Sequence, residues 1–375
     1  MEKKLKVLLI AYNNLGKGGI QNQLIGIIRT LKDKVNFDIV IWDNKRNYYR
    51  EELESYDNVR IIECFRHIEK YNKLRQKADA FIRYNDLKQR ISNIIKEYGP
   101  YDVIHCNNAF DAAPCLHAAY ENHIPVRISH AHNTENPSLS KKLVYPAYKK
   151  LYNHQRKRIR KYATHMIGCS KQVCDYFFGQ DLGEVVHIGI DLSKFYDIEP
   201  NRGNSEIKEL LHVGNMSEQK NQLFTVDIID ELRNIRKDFH MTLIGGGTTY
   251  LDQVKEKIEE KNLTQFITIL PPESNVPEAM SKSDLFVFPS SFEGFGIVLI
   301  EAQSLGLKCI CSEVVTEEAN CGGMITVPLM DGPQGWAKAI DQQLNLKNQT
   351  ADRYDVSEFS VENMGNNIFK KYIGE

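Results

Sequence analysis

A glycine-rich turn in the carboxyl half of the chain has the residue types of an anion-binding site. The apolar run Leu285–Phe288 has the composition of a buried parallel strand. Gly294 and Gly296 follow it, and Ile297 opens a helical pattern that ends at Gly306. The first turn of a helix has free backbone N–H groups and a partial positive charge, and glycines let an anion approach that backbone closely. The order strand, glycine turn and helix start therefore predicts a phosphate-binding site.

Two glutamates flank this turn. Glu293 precedes the glycines, and Glu301 lies in the second turn of the predicted helix. Two acceptors on either side of a diphosphate cradle suit the hydroxyl groups of a nucleotide-sugar, with the ribose on one side and the sugar on the other. The alternative is a surface loop with two solvated glutamates, because a short glycine motif by itself is weak evidence.

The amino end of the chain contains a second candidate loop. Residues 7–12 have the pattern of a buried strand, and Gly18 and Gly19 follow it just before a helical pattern. Open α/β sheets bind ligands at this end of their strands. The loop lacks the dinucleotide fingerprint, because with Gly16 and Gly18 as its first two glycines the third position holds Gln21. A nicotinamide cofactor is therefore disfavoured.

Two histidines lie where another predicted strand, residues 125–130, reaches its carboxyl end. His130 and His132 point to the same side if the strand continues, because side chains alternate along a strand. One interpretation places them in an active site. The alternative is a packed histidine, and a metal site would need a third ligand that the sequence does not identify.

Length and patterning predict how these residues are positioned. A chain of 375 residues exceeds what one hydrophobic core usually supports, and its 42% hydrophobic and 26% charged residues are ordinary for a globular protein. Short apolar strands alternate with helices in both halves, which predicts an α/β protein of two doubly wound Rossmann-like domains facing a cleft. The polar, breaker-rich run 199–205 is the candidate linker, and the domain boundary is expected between Asp191 and Ser205, with domains at 1–195 and 196–357. A final helix at about 358–375 is expected to pack back on the first domain.

Composition also bears on partners and location. The net charge of −1 and the lack of a recognised module disfavour nucleic acid. None of the eight cysteines forms a Cys-x-x-Cys pair, no secretory signal is recognisable, and no apolar run approaches the roughly 20 residues that span a bilayer. A cytoplasmic protein with reduced thiols is expected, and a metal role for Cys309 and Cys311 is disfavoured.

Residues 141–161 are strongly basic and interleaved with tyrosine and leucine. One interpretation is an amphipathic helix that contacts anionic head groups, or a lipid-diphosphate acceptor, on the inner face of the cell membrane. The alternative is a solvated helix face.

Several motifs in a fixed order resemble the family-4 retaining glycosyltransferases of the GT-B fold, over most of the chain. They are 211–222 (LHVGNMSEQKNQ), 243–247 (LIGGG), 283–290 (SDLFVFPS) and 293–302 (EGFGIVLIEA). In the first half, 127–133 (RISHAHN) and 168–170 (GCS) are similar to bacterial members that build capsule or exopolysaccharide.

The resemblance implies a role for each candidate in a nucleotide-sugar site. Glu293 would hold hydroxyls of the donor sugar, Glu301 those of the ribose, and Lys220 the diphosphate as it leaves. Backbone N–H groups that would face the diphosphate and sugar belong to Gly294, Phe295, Gly296, Ile297 and Val298.

The remaining implied contacts come from other loops. His132 would hydrogen-bond the donor sugar, and Gly18 and Gly19 would approach the donor phosphate. Leu270 and Pro271 would bracket the nucleobase through their backbone.

The resemblance implies transfer of a sugar from a nucleotide-sugar to a glycan or lipid-linked acceptor, with retention of configuration. The expected nucleotide is uridine diphosphate. No cofactor and no metal are expected: the chain contains no Asp-x-Asp, and fixed N–H dipoles with a lysine suit the charge on a departing diphosphate.

One departure keeps alternatives open. The family usually has an arginine where this chain has Asn215, and an amide does not replace a bidentate guanidinium at equal strength. The chain could instead be a non-catalytic GT-B subunit that stabilises a partner enzyme, or a nucleotide-sugar epimerase.

Overall fold

A computed structural model describes residues 3–11, 14–16, 18–43, 47–64, 79–134, 145–202, 206–346 and 353–375. These residues form two compact units. Unit 1 comprises the described residues up to 134, those of 138–190 and those of 359–375, and unit 2 comprises those of 191–358.

Unit 1 is built on a seven-stranded sheet with the order β3-β2-β1-β4-β5-β6-β7, in which every pairing is parallel. The described strands are β1 Leu5–Ile10, β2 Val35–Ile41, β3 Val59–Glu63, β4 Val103–Cys106, β5 Val126–Ala131, β6 His165–Gly168 and β7 Glu184–Val185. Ile10 of β1 pairs with Val40 on one side and Cys106 on the other, so β1 and β4 are adjacent although far apart in the chain.

Helices cover this sheet. They are α1 Gly19–Leu31, α2 Arg50–Glu54, α3 Asp79–Tyr98, α4 Ala112–Glu121, α5 Tyr145–Tyr162 and α6 Lys171–Phe178. The buried face of α1 includes Leu24, Ile27 and Leu31, which follow the helical spacing of apolar residues and pack against the sheet.

The last helix of the chain, α13 (Val361–Tyr372), belongs to unit 1 and packs on α1. Small residues permit the close approach. A Cβ at Gly26 would lie 2.5 Å from Val361 Cγ2, and a Cβ at Gly365 would lie 2.5 Å from Thr30 Cγ2. The carbonyl of Ile190 accepts from the Val361 N–H at 2.9 Å, which fixes the start of the helix.

Unit 2 has a six-stranded parallel sheet with the order β10-β9-β8-β11-β12-β13. Its strands are β8 Lys208–Val213, β9 Phe239–Ile244, β10 Ile267–Leu270, β11 Leu285–Phe288, β12 Cys309–Cys311 and β13 Met324–Thr326. Its helices are α7 Ser193–Tyr196, α8 Gln222–Ile235, α9 Thr249–Glu260, α10 Val276–Lys282, α11 Ile297–Ser304 and α12 Gly332–Leu344.

The strand order of each sheet reverses at one point. In unit 1 the chain runs outward from β1 through β2 and β3, then restarts beside β1 with β4. In unit 2 the reversal lies between β8 and β11. The loops at the carboxyl ends of two such strands diverge and leave a crevice, where open α/β sheets bind ligands.

The strand β7 ends at Val185, and Ile190 forms an isolated bridge with Ser360 of the carboxyl segment. Helix α3 is described from Asp79 to Tyr98, and residues 69–78 lie outside the described part. All eight cysteines are free thiols. None of the described helices is long and apolar enough to cross a membrane.

Candidate functional site

Two candidates from separate motifs are in contact at the reversal point of unit 2. Lys220 lies in the loop after β8, and Glu293 lies in the loop after β11. The Lys220 Nζ is 2.6 Å from the Glu293 Oε1, and Glu293 is only 5% exposed. The same ammonium lies 4.6 Å from the centre of the Phe288 ring. The cation and the carboxylate therefore form one partly desolvated ion pair at the expected ligand position.

Hydrogen bonds between the two loops hold this pair in place. Asn221, in the left-handed conformation at the start of α8, donates its side-chain amide to the Pro289 carbonyl at 3.0 Å. Ser291 donates its N–H to the Gln219 carbonyl at 2.8 Å and its hydroxyl to the Glu218 carbonyl at 3.1 Å. Because backbone atoms on both loops take part, the segments that carry Lys220 and Glu293 are held next to each other.

The glycine turn precedes α11 as the sequence predicts. Gly296 has a φ of 90° at the residue before the helix, a conformation that other residues rarely adopt. Gly294 and Phe295 are buried, whereas Ile297 and Val298 in the first helical turn are partly exposed. The Leu299 N–H donates to the Gly296 carbonyl at 2.9 Å. The N–H groups of Ile297 and Val298 have no acceptor one turn earlier in the helix, so this end of α11 can accept an anion.

Glu301 lies in the second turn of α11 and is partly buried. Burial raises the pKa of its carboxyl to about 7, and the nearby Lys194 opposes the shift. Near neutral pH the side chain therefore exchanges between a carboxylic acid and a carboxylate, which is the better acceptor for hydroxyl groups.

We expect the raised pKa of Glu301 to make the protein less stable as pH rises. Its folded-state pKa of about 7 exceeds the ordinary value of 4.5, so the folded state holds the extra proton between these values. The free energy of unfolding should fall across this window, by a contribution on the order of 1–3 kcal/mol. Urea denaturation from about pH 5 to about pH 8 measures it.

Glu301→Gln should remove this part of the pH dependence and stabilise the protein above about pH 7. The exposed Glu256→Gln, on the surface of α9, is the matched control and should leave the wild-type profile unchanged. An identical pH profile for wild type and Glu301→Gln would contradict the assignment.

The loop that contains Asn215 packs closely on the loop after β9. A Cβ at Gly245 would lie 2.0 Å from the Gly214 carbonyl oxygen, so only glycine permits this contact. Met216 donates its N–H to the Gly246 carbonyl at 2.8 Å. Asn215 is exposed, and its backbone carbonyl accepts a hydrogen bond from Gln222 Nε2 at 3.2 Å.

Leu270 and Pro271 lie at the carboxyl end of β10, on the same edge of the unit 2 sheet. The Leu270 carbonyl accepts from the Gly245 N–H at 3.1 Å. The Pro271 carbonyl accepts from the backbone N–H of Ser274 at 3.1 Å and from its hydroxyl at 2.7 Å. Pro271 has no N–H to offer a nucleobase, and both carbonyl oxygens already accept hydrogen bonds.

In unit 1, Gly18 and Gly19 lie where α1 begins. Gly18 has an extended backbone, its carbonyl accepts from the Asn22 N–H at 2.8 Å, and Gly19 is exposed. The same helix contributes Gln23, whose Nε2 is 3.2 Å from the Nε2 of His130. Helix α1 thus connects the glycine loop to the histidines at the end of β5.

His132 follows β5 and is 7% exposed. Its Nε2 is 2.9 Å from the Oδ1 of Asn107, at the carboxyl end of the neighbouring β4. Burial lowers the pKa of His132 to about 3, so the imidazole is neutral. Its carbonyl accepts from the Cys169 thiol at 3.4 Å.

Two family models match the chain, one in each half. The model described as Glycosyltransferase Family 4 matches residues 17–194, and the model described as Glycosyl transferases group 1 matches residues 207–345. The chain belongs to these glycosyltransferases. The resemblance inferred from the order of its motifs is confirmed, and the protein is a transferase.

Individual relatives support this assignment. A Bacillus subtilis (strain 168) protein named as the glycosyltransferase EpsF is 29% identical over 367 residues, covering 91% of this glycosyltransferase and 88% of the relative. The Escherichia coli UDP-Gal:alpha-D-GlcNAc-diphosphoundecaprenol alpha-1,3-galactosyltransferase is 26% identical over 250 residues, 61% of this chain and 62% of that protein.

A solved structure shows the fold. Anabaena Alr3699/HepE, in complex with UDP and glucose, matches with a TM-score of 0.73 at 16% identity, over 99% of this chain and 100% of that chain. The predicted α/β fold class, GT-B with two Rossmann-like domains, is confirmed.

Sequence patterns do not identify four side chains that are hydrogen-bonded to the histidines of this glycosyltransferase. They are Gln23, His105, Asn107 and Tyr372. Asn107 alone has a recognisable signal, since a polar residue directly after a buried parallel strand lies at the ligand edge of the sheet. Within the described residues, no group of three or more His, Cys, Asp or Glu side chains could hold a metal ion.

Proposed function

We propose that this glycosyltransferase moves a sugar from a uridine diphosphate-linked donor to a glycan or lipid-linked acceptor, with retention of configuration and without a metal, in surface polysaccharide or glycoconjugate synthesis. The observation that carries the proposal is the Lys220–Glu293 pair, whose atoms lie 2.6 Å apart beside the glycine turn that opens α11. A cation, a hydroxyl acceptor and the N–H groups at the start of α11 meet there, which is the set that a sugar diphosphate requires.

The charge on the departing diphosphate explains the role of Lys220. When the bond between sugar and diphosphate breaks, negative charge develops on the departing phosphate. Lys220 and the first turn of α11 are fixed positive groups that stabilise this charge without rearrangement. Bound diphosphate would share the ammonium with Glu293, which would turn its carboxylate towards the hydroxyls of the sugar.

Donor and acceptor classes follow from the relatives and from the two glutamates. One structural neighbour is in complex with UDP and glucose, and one relative is named for a UDP-Gal donor and a diphosphoundecaprenol acceptor. Within unit 2, Glu293 and Glu301 supply acceptors for sugar and ribose hydroxyls. Retention of configuration rests on the resemblance to family-4 enzymes.

The experiment that tests the proposal is a thermal-shift screen of nucleotide-sugars, followed by UDP release with lipid-linked and glycan acceptors, with and without EDTA. We expect a uridine-linked sugar to raise Tm and its turnover to survive EDTA. Failure to bind any nucleotide-sugar would overturn the proposal. Binding without turnover, together with co-purification of an active homologue, would favour a non-catalytic subunit, and a changed sugar without acceptor would favour an epimerase.

We expect Asn215→Arg to tighten binding of uridine diphosphate. In the proposed diphosphate site, Lys220 is already paired with Glu293. A guanidinium at this exposed loop position would add a charge-assisted hydrogen bond to the diphosphate, worth about 1.5–3 kcal/mol. Titration calorimetry should show roughly tenfold or stronger tightening. Asn215→Gln, which extends the side chain without charge, is the control, and equal affinity in all three proteins would show that the wild-type cradle is already complete.

We also propose that the basic helix α5 contacts a membrane surface. Two of its arginines stabilise the packing of α5 on α6, because Arg156 donates to the Phe177 carbonyl and Arg160 to the Phe178 carbonyl at the end of α6. Four lysines of α5 are exposed, and residues 145–162 contain no acid. The exposed lysines are Lys149, Lys150, Lys157 and Lys161.

This lysine face suits anionic head groups, each lysine adding about 1 kcal/mol near such a surface. We expect the protein to sediment with phosphatidylglycerol vesicles at low salt and not with phosphatidylcholine vesicles. Lys150→Glu with Lys157→Glu should abolish the difference, and equal sedimentation with both lipids would remove this part of the proposal. Residues 141–144 lie outside the described part of the chain.

A further inference from the structure

Three histidines are stacked in the interior of unit 1. His105 of β4 and His130 of β5 have ring centres 5.2 Å apart and planes 11° from parallel. The His132 ring follows, 4.4 Å from that of His130. Their exposed fractions are 0%, 1% and 7%. Only the last ring belongs to the proposed sugar site, so the other two need a separate explanation.

Hydrogen bonds connect the first two rings to helices on either side. The Tyr372 hydroxyl of α13 is 2.8 Å from His105 Nδ1, and His105 Nε2 is 3.1 Å from His130 Nδ1. His130 Nε2 then meets the Gln23 amide of α1 at 3.2 Å. In either orientation of that amide, each ring donates one hydrogen bond and accepts one.

Both rings are fully hydrogen-bonded when they are neutral. A second proton on His105 or His130 would bury a charge that the neighbouring histidine, tyrosine and amide groups do not compensate. Burial lowers the pKa of His105 to about 3 and that of His130 well below its ordinary value. The stack therefore forms an uncharged, close-packed base under His132.

The His132 ring has different hydrogen-bond partners from the other two. The Oδ1 of Asn107 accepts, so the Nε2 of His132, at 2.9 Å, carries the proton. In a neutral imidazole the Nδ1 then has a lone pair and no proton. This Nδ1 is buried and has no partner among the described residues, and the same holds for Asn107 Nδ2. A buried acceptor without a donor marks a place for an O–H group from outside.

We propose that Asn107 is a positioning residue that fixes His132 as the Nε2–H tautomer, so that Nδ1 accepts a hydrogen bond from a hydroxyl of the bound sugar. The inference rests on the proposed function and deepens it. The titratable groups packed around His132 are His130, His105 behind it, and the Cys169 thiol, which donates to the His132 carbonyl. None of them competes for Nδ1 in the structure.

Asn107→Asp tests the proposal, because it keeps the side-chain size and the acceptor for Nε2–H but adds a negative charge. That charge favours the imidazolium, whose Nδ1 is protonated and can no longer accept. We expect the ratio of kcat/KM between variant and wild type to fall at least about tenfold from about pH 8.5 to about pH 6. A pH-independent ratio would overturn the proposal.

The neighbouring Asn108→Asp is the matched control. Asn108 is also buried, but its amide meets the Cys115 thiol at 3.5 Å. It receives the same charge one residue further on, and its ratio to wild type should not depend on pH. Thermal unfolding of all proteins shows which variants fold.

A measurement independent of activity separates this inference from the proposed function. Nitrogen-15 NMR of histidine-labelled wild-type protein without donor should show His132 protonated at Nε2 and bare at Nδ1, and Asn107→Asp should show both nitrogens protonated at acidic pH. An Nδ1–H tautomer in wild type would overturn the inference even if the enzyme is active. The expected tautomer without any sugar transfer would leave the positioning role intact and remove the proposed function. If Asn107→Asp does not fold, Asn107→Ala should show a mixture of tautomers.

Discussion

Lys220→Ala is expected to lower kcat by about 10²–10³-fold, the usual cost of removing one group that stabilises developing negative charge. In unit 2, the Lys220 ammonium is the cation 2.6 Å from Glu293, beside the turn where the diphosphate is proposed to lie. Steady-state UDP release with saturating donor measures the loss. A wild-type rate in this variant would remove Lys220 from the reaction.

The stability of this variant needs separate control, because Lys220→Ala also deprives the buried Glu293 of its ion-pair partner. We expect a lower Tm, which Lys220→Met with Glu293→Gln should restore while kcat stays low. Lys282→Ala is the matched surface control. Its ion pair with Glu278 has the same 2.6 Å distance, but both side chains are more than half exposed, so activity and Tm should hardly change.

Glu293→Ala is expected to separate catalysis from diphosphate binding. The carboxylate is proposed to hold sugar hydroxyls in the transition state, so kcat should again fall by about 10²–10³-fold. Removing it also frees Lys220 from its partner and takes a negative charge away from the diphosphate position. Binding of UDP without a sugar should therefore be unchanged or tighter in titration calorimetry.

Glu293→Gln refines this test, because the amide keeps the shape and one acceptor but loses the charge. Its kcat should lie between those of wild type and Glu293→Ala. Weaker UDP binding in both variants would contradict the assignment, since it would mean that Glu293 supports the diphosphate rather than the sugar.

The basic helix α5 shows which properties of a helix its charge pattern predicts and which it does not. Its charge and its helical spacing are visible in the sequence, and both predict an exposed amphipathic face. The sequence does not show that Arg156 and Arg160 bind carbonyls at the end of α6, because that depends on which helix packs beside α5. The lysines and the arginines of one basic stretch thus have different roles.

The histidine motif shows the same division. The alternation of side chains along β5 places His130 and His132 on one side, as expected from the sequence. The tautomer of His132 depends on Asn107, which follows a different strand, and the state of His130 depends on Tyr372 through His105. No spacing rule relates these positions.

The features that can be recognised in the sequence are local. The glycine turn before α11, the helix start at Ile297, the alternation of strands and helices and the order of the motifs can each be recognised within a few residues, because backbone conformation and amphipathic periodicity are short-range properties. Only the tertiary structure brought Lys220 to Glu293, across 73 residues, and Tyr372 to His105, across 267. Those contacts follow from strand order and from the return of the last helix to unit 1, which are decided by how buried faces pack together and not by any one segment.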